Sequence, residues 1–310
     1  MDGELNVTYI TLSGHVELHK YRYLYFIIMF IAYLLIICCN STIVCLIYVH
    51  KNLHEPMYIF IAALLMNSVL FSSALYPKLL IDFSSEKQII SYPSCLLQYF
   101  FFYFLGCSEF LLLAAMAYDR YVSICKPLQY HTIMRKTNVI IALVSAWLVP
   151  ACHFLTGATL IAHRKFCDFT LKGILCNNSI LKLQCVRSTT IIIYGLFVLF
   201  SDAIFPVFFI LFTYTKILSI CYQSSADVRK KAAETCLPHL LVLTSFSCLS
   251  LYDVIVVRLE TNIPKTLSLI MTLQVIVYHP LFNPLIYGLK MKEISKHIKR
   301  LFCQRTLTNA

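Results

Sequence analysis

Three ionisable residues stand inside long apolar stretches of this chain: Glu109, Asp202 and Arg258. A charged group in such surroundings is costly, so its default reading is functional. Glu109 must pair with a cation, share hydrogen bonds or carry a proton. Asn40, Asn67, Ser68 and Asn283 stand in neighbouring stretches and can complete a network with it, as a site or as glue between helices. Asp202 lies four residues before Pro206 and either faces a cavity, where it takes a ligand's donor, or is solvated near a loop. Arg258, with Glu260 nearby, either grips a carboxylate in a bidentate pair or snorkels to an interface. Asp202 and Arg258 together can hold a zwitterion such as an amino acid, or pair with each other. Asp119-Arg120-Tyr121 closes the stretch that holds Glu109. Adjacent Asp and Arg at a helix end can form an ion pair that is strong when dry and weak when water or a partner enters, which is a latch.

Enzyme signatures are absent from the sequence: no HExxH, no G-x-S-x-G, no GxxxxGK[ST] and no paired metal-ligand spacing. His131, His153, His239 and His279 fall on different stretches and read as structural histidines.

The elements that position these residues are membrane spans. Apolar residues make up 59% of the 310-residue chain and charged residues 13%, and mean hydropathy is +0.74. A soluble chain carries about 25% charge, so this one cannot cover a water-facing globule. Runs free of Asp, Glu, Lys and Arg cover Tyr23 to Val49, Met57 to Pro77, Gln88 to Ser108, Thr137 to His163, Thr235 to Tyr252 and Thr266 to Leu289. Ser188 to Thr215 is broken only by Asp202, and the third run continues past Glu109 to Tyr118. A crossing helix needs about 20 residues, and lipid admits only helices or closed barrels. The expectation is an all-α membrane protein: a seven-helix bundle over residues 23–289, an extracellular segment 1–22, and a cytoplasmic tail 290–310 with a short amphipathic helix. The first run is retained rather than cleaved as a signal peptide.

The net charge of +11 reads as loop charge rather than as a nucleic-acid surface. Loops on the C-terminal side hold 15 Lys/Arg and the other side 11, a mild bias that favours a cytoplasmic C-terminus; the expected location is the plasma membrane, with several passes. Asn6-Val7-Thr8 and Asn177-Asn178-Ser179 are glycosylation sequons on the outer side. Cys95, Cys167, Cys176 and Cys185 also fall there, an even number that suggests two disulfides, with free thiols as the other reading. Pro56, Pro127, Pro206, Pro238, Pro280 and Pro284 lie in or beside spans and supply kinks.

The motif residues resemble a rhodopsin-like G-protein-coupled receptor and, more narrowly, an odorant receptor. Met116 to Tyr130 matches the MAYDRYVAICxPLxY string of that family. Leu53 to Tyr58 resembles LHxPMY, Lys231 to Leu240 resembles KAxxTCxxHL, Pro280 to Tyr287 resembles PxxNPxIY, and Cys176 to Cys185 resembles CDxxxLLxLxC. Ser68 stands where the family often has Asp, and Phe246-Ser247-Cys248 replaces FYG, with Tyr252 a turn outward as a substitute aromatic. The resemblance implies disulfides Cys95–Cys176 and Cys167–Cys185, and an ion network of Asn40, Ser68 and Glu109 that can hold sodium but no other cofactor. It implies a small odorant, an amino acid or carboxylate among the options, lined by Phe102, Tyr103, Gly106, Cys107, Val198, Asp202, Ser250, Leu251, Val254 and Arg258. It implies a switch of Asp119, Arg120, Tyr121, Tyr214, Asn283, Pro284 and Tyr287 toward a stimulatory heterotrimeric G protein that raises cyclic AMP. The basic trio Arg229, Lys230 and Lys231 would stand beside the G protein. The tail helix would lie on membrane lipid, with Cys303 as a palmitoylation site.

Overall fold

The computed structural model describes residues 8–16, 18–222, 236, 237, 239–247 and 264–308. The expectations placed on Asn6, Arg229, Lys230, Lys231, Pro238, Cys248, Ser250, Leu251, Tyr252, Val254, Arg258 and Glu260 lie outside these residues. Among them, six helices are long and apolar enough to cross a bilayer. The first four are Leu18–Val49, Pro56–Ser84, Tyr92–Cys125 and Lys136–Ala162. The fifth is built in three consecutive pieces, Thr189–Leu199, Phe200–Ile204 and Phe205–Tyr222. The seventh is Lys265–Lys290. Residues 236, 237 and 239–247 are helical and belong to the sixth in chain order, which completes a seven-helix bundle.

The bundle is turned inside out relative to a soluble protein. Ile27, Ile28, Ile31, Leu34 and Leu35 of the first helix, and Phe197, Phe200, Phe205, Phe208 and Phe212 of the fifth, are exposed. Asn40, Asn67, Ser68, Glu109, Asp119, Asp202 and Asn283 are buried. That is the arrangement of a chain whose outer solvent is lipid, where polar groups must find partners inside.

Helix ends differ from the charge-free runs for local reasons. The second helix continues past Pro77 because Lys78 and Asp82, one turn apart, pair with each other. The third begins at Tyr92 because Ile89–Ser91 is a strand; Ser91 Oγ caps it by accepting from the Ser94 N–H at 3.3 Å, with a proline in the first turn.

Prolines explain three irregularities. Pro284 has no N–H for the Pro280 carbonyl, and Asn40 Nδ2 donates to that oxygen at 2.8 Å. Pro280 likewise frees the Ile276 carbonyl, which Tyr76 Oη approaches at 3.5 Å. In the fifth helix Pro206 frees the carbonyl of Asp202, and the turn there widens to a π-helix in which the Phe205 N–H bonds the Phe200 carbonyl.

A small sheet roofs the outer end. Strand β1 (Tyr9–Leu12) lies between β2 (Ile89–Ser91) and β3 (Thr170–Leu171), antiparallel to β2 with Ile10 opposite Ile90, and parallel to β3 with Leu12 opposite Leu171. Ile10 and Leu12 are buried and belong to the same apolar cluster as Tyr99, Phe154 and Ile161. Disulfides join Cys95 to Cys176 and Cys167 to Cys185, with Cα–Cα distances of 5.3 and 4.9 Å, the pairing that the resemblance implies. At the inner end the tail forms helix Lys292–Thr308, which contains Cys303 and buries Ile294 and His297 against the bundle. His297 stacks on His50 with ring centroids 3.9 Å apart.

Candidate functional site

Below the roof the helices enclose a cavity of about 690 Å³. Phe102, Tyr103, Gly106 and Cys107 of the third helix line one wall, and Val198 and Tyr194 of the fifth line another. Among the described residues, a Cβ built on Gly106 meets nothing within 4 Å outside its own stretch of helix, so the absent side chain is cavity space. Tyr103 carries the roof: its Oη accepts the Asn178 N–H at 2.8 Å, and its ring stacks on Phe154 at 5.4 Å. The lining is mostly apolar with a few polar groups, the usual make-up of a small-molecule site.

Asp202 departs from the expectation: it is 1% exposed and does not line the cavity. His153, on the fourth helix, brings Nδ1 within 3.0 and 2.9 Å of its two carboxylate oxygens, and Ser201 Oγ donates to it at 2.8 Å. The widened turn before Pro206 presents Asp202 to the fourth helix. His153 lines the cavity in its place. A single histidine on an apolar helix has no spacing partner, so sequence reasoning passed over it; the signal was the buried aspartate that needed a donor.

At the cavity floor Glu109 accepts from Asn283 Nδ2 at 2.9 Å, and the same nitrogen lies 3.2 Å from Ser68 Oγ. His279 Nδ1 lies 3.6 Å from the same glutamate oxygen. Ser68 and Asn283 thus join Glu109, whereas Asn40 and Asn67 do not. Asn40 donates to the Ile36 and Pro280 carbonyls, both at 2.8 Å. Asn67 bridges the third and fourth helices, donating to the Leu105 carbonyl at 2.9 Å and accepting from Trp147 Nε1 at 3.1 Å. Phe246 sits over His279 and against Phe110, with ring centroids 4.4 Å apart in each pair. The groups turned toward Glu109 Oε1 are an amide N–H and an imidazole nitrogen. Sodium, like other hard cations, takes oxygen ligands, so these residues do not fit the expected ion.

At the inner end Arg120 Nε donates to Asp119 Oδ2 at 3.0 Å, with a second guanidinium nitrogen on the same oxygen. Tyr130 Oη donates to Asp119 Oδ1 at 2.8 Å. Burial and the Asp119 charge push the Tyr130 phenol well above its ordinary range. Among the described residues Tyr214 Oη is buried without a partner, and Tyr287 Oη lies 3.4 Å from His239 Nδ1. Tyr121 is half-buried and packs on the inner core rather than on the pair, and Pro284 is buried in the seventh helix one residue from Asn283.

Comparison with known proteins agrees with this geometry. A family model described as "Olfactory receptor" matches residues 28–305. Olfactory receptor 1E16 of Mus musculus is 33% identical over 295 residues, covering 93% of this chain and 92% of its own. Olfactory receptor 10K1 of Homo sapiens is 34% identical over 302 residues, covering 94% and 93%. The crystal structure of squid rhodopsin superposes with a TM-score of 0.73 at 20% identity, over 94% of this chain and 87% of that one, which shows the fold. A family match over most of the chain, two relatives above 30% identity and a rhodopsin-like seven-helix bundle place the chain among receptors rather than enzymes: it belongs to the olfactory receptor family.

Proposed function

We propose that a small odorant binds in the cavity under the roof and that its binding activates a stimulatory, olfactory-type heterotrimeric G protein, raising cyclic AMP. The observation that carries this reading is the cavity of about 690 Å³, apolar on its walls and reaching Glu109 and His279 at its floor. Lys182 and Arg187 line its loop side, which supports a ligand with a carboxylate, such as a small acid or an amino acid. Ser250, Leu251, Val254 and Arg258 complete the wall in this reading. The N-terminus, residues 1–22, is extracellular and glycosylated at Asn6; residues 290–310 are cytoplasmic.

Activation is a population shift: the ligand must bind the active arrangement better than the resting one. Arg120, held by Asp119 at rest, leaves it and engages Tyr214 and Tyr287. The Tyr214 hydroxyl, buried with no partner among the described residues, supports that destination. Tyr121, Asn283 and Pro284 move with the helices that carry them, and Arg229, Lys230 and Lys231 face the G protein.

The test is cyclic AMP production in cells that co-express this chain with a stimulatory olfactory-type G protein, screened with pooled amino acids, carboxylates, amines and apolar odorants. A response lost in Arg120→Ala supports the reading. Silence from a chain displayed on the surface, together with ion flux in liposomes lacking any G protein, contradicts it.

A further inference from the structure

His279 is 3% exposed, and among the described residues neither of its ring nitrogens has a hydrogen-bond partner. Its Nδ1 faces Glu109 Oε1 from 3.6 Å. Glu109 is itself 6% exposed. A buried carboxylate needs compensating donors or a positive group. Asn283 supplies one N–H. Ser68 supplies none, because its hydroxyl is directed to the Leu64 carbonyl at 3.2 Å. Among the described residues, the imidazole is the other donor within reach. Phe246 holds its ring edge-on, and Phe110 backs Phe246. The gap of 3.6 Å exceeds a charge-assisted N–H···O bond of about 2.8 Å by less than an ångström. The ring fills the volume beside Oε1 and turns nitrogen toward it, where a hard cation would need oxygen.

We infer that His279 stands in the position of a cation beside Glu109: the imidazole is the carboxylate's built-in partner, and sodium does not stabilise this bundle. The arrangement also joins the cavity floor to the inner half of the seventh helix, because Glu109 touches both His279, which lines the cavity, and Asn283, which precedes Pro284. Neither the ligand nor the G protein enters this inference, so its failure and that of the odorant reading are separable.

The test is the melting temperature of the full-length receptor in lipid nanodiscs, in sodium chloride and in choline chloride at equal ionic strength. The wild type melts at the same temperature in both. His279→Ser removes the imidazole and leaves the oxygens of Glu109 and Ser68, so it melts lower in choline and regains ~3 °C in sodium. His279→Gln keeps an N–H donor and stays insensitive to the choice of salt. A wild type that sodium raises above choline, with the rise abolished in Glu109→Gln, overturns the inference. A His279→Ser receptor that folds and melts alike in both salts overturns it too, because the imidazole is then not what excludes the cation. If His279→Ser does not fold, the wild type and His279→Gln decide: both insensitive supports the inference, and a sodium gain in either one overturns it.

Discussion

Asp202 and His153 tie the fifth helix to the fourth, with Nδ1 of the imidazole shared between both carboxylate oxygens at 3.0 and 2.9 Å. Breaking a buried pair from one side leaves the other group uncompensated, at a cost of about 3–5 kcal/mol. His153 keeps 23% of its side chain exposed, so the low end applies. Asp202→Ala therefore destabilises the receptor by about 3 kcal/mol, and Asp202→Asn, which keeps an acceptor, by less. Adding His153→Phe to Asp202→Ala recovers part of the loss. Melting temperatures of the wild type, Asp202→Ala, His153→Phe and the double variant form the cycle; additive losses would show that the two residues do not interact.

The roof depends on one covalent link and one close approach. The Cys95–Cys176 bridge closes 81 residues of chain, and removing a native disulfide costs about 2–5 kcal/mol. Cys95→Ser, Cys176→Ser and the double variant should lose surface display equally. A double variant worse than either single would mean that the cysteines act apart. Gly14 lies against Gly173, so that a Cβ added at Gly14 comes within 2.5 Å of a backbone carbon. Gly14→Ala should then lose display too, whereas Gly106→Ala, which meets open space, should not.

Tyr130 holds Asp119 in the arrangement that pairs it with Arg120. A hydrogen bond to a charged group is worth about 1.5–3 kcal/mol. If Tyr130→Phe loosens the resting latch, ligand-free cyclic AMP rises by up to roughly tenfold at unchanged surface display, since 1.4 kcal/mol is tenfold. An unchanged basal signal would remove Tyr130 from the latch.

Burial, with Lys78 adding like charge, lowers the His15 pKa from 6.5 to about 4. Between those values the unfolded chain binds a proton that the folded chain does not. Stability is then complete above pH 6.5 and falls as pH drops toward 4. His15→Phe, placed edge-on to Phe83 as His15 is, should flatten this part of the profile of melting temperature against pH. Parallel profiles for the two proteins would contradict the assignment.

The spans were legible in the sequence because lipid imposes one rule on every residue of a crossing helix. The limits of legibility lie where two side chains cancel. Lys78 and Asp82 ended the second charge-free run at Pro77, yet their mutual pairing lets the helix continue to Ser84. Phe102, Tyr103, Gly106, Cys107 and Val198, named through family resemblance, stand on the cavity wall. The partners of the buried acids could not be read in the sequence. His153 and His279 are isolated in sequence, and their roles exist only once the fourth and seventh helices meet Asp202 and Glu109. Asn40 and Asn67 looked equivalent to Ser68, but Asn40 is spent on a proline-freed carbonyl and Asn67 on Trp147 and Leu105. The roof strands were invisible because Ile89–Ser91 and Thr170–Leu171 are too short to show an alternation.

Occupancy of the cavity by the odorant is the central claim, and Gly106 tests it most directly. Its missing side chain opens onto the cavity, and among the described residues no atom beyond its own stretch of helix lies within 4 Å of where a Cβ would stand. Replacing a helical glycine by alanine adds about 0.8–1 kcal/mol of helix propensity, so Gly106→Ala is displayed at least as well as the wild type. Gly106→Leu fills more of the same space. The measurement is the cyclic AMP dose–response of the wild type, Gly106→Ala and Gly106→Leu to an odorant found in the screen, at matched surface display. The account predicts that the half-maximal concentration rises on going to alanine and that the response is lost with leucine. Superimposable curves for all three receptors would contradict it and place the ligand elsewhere.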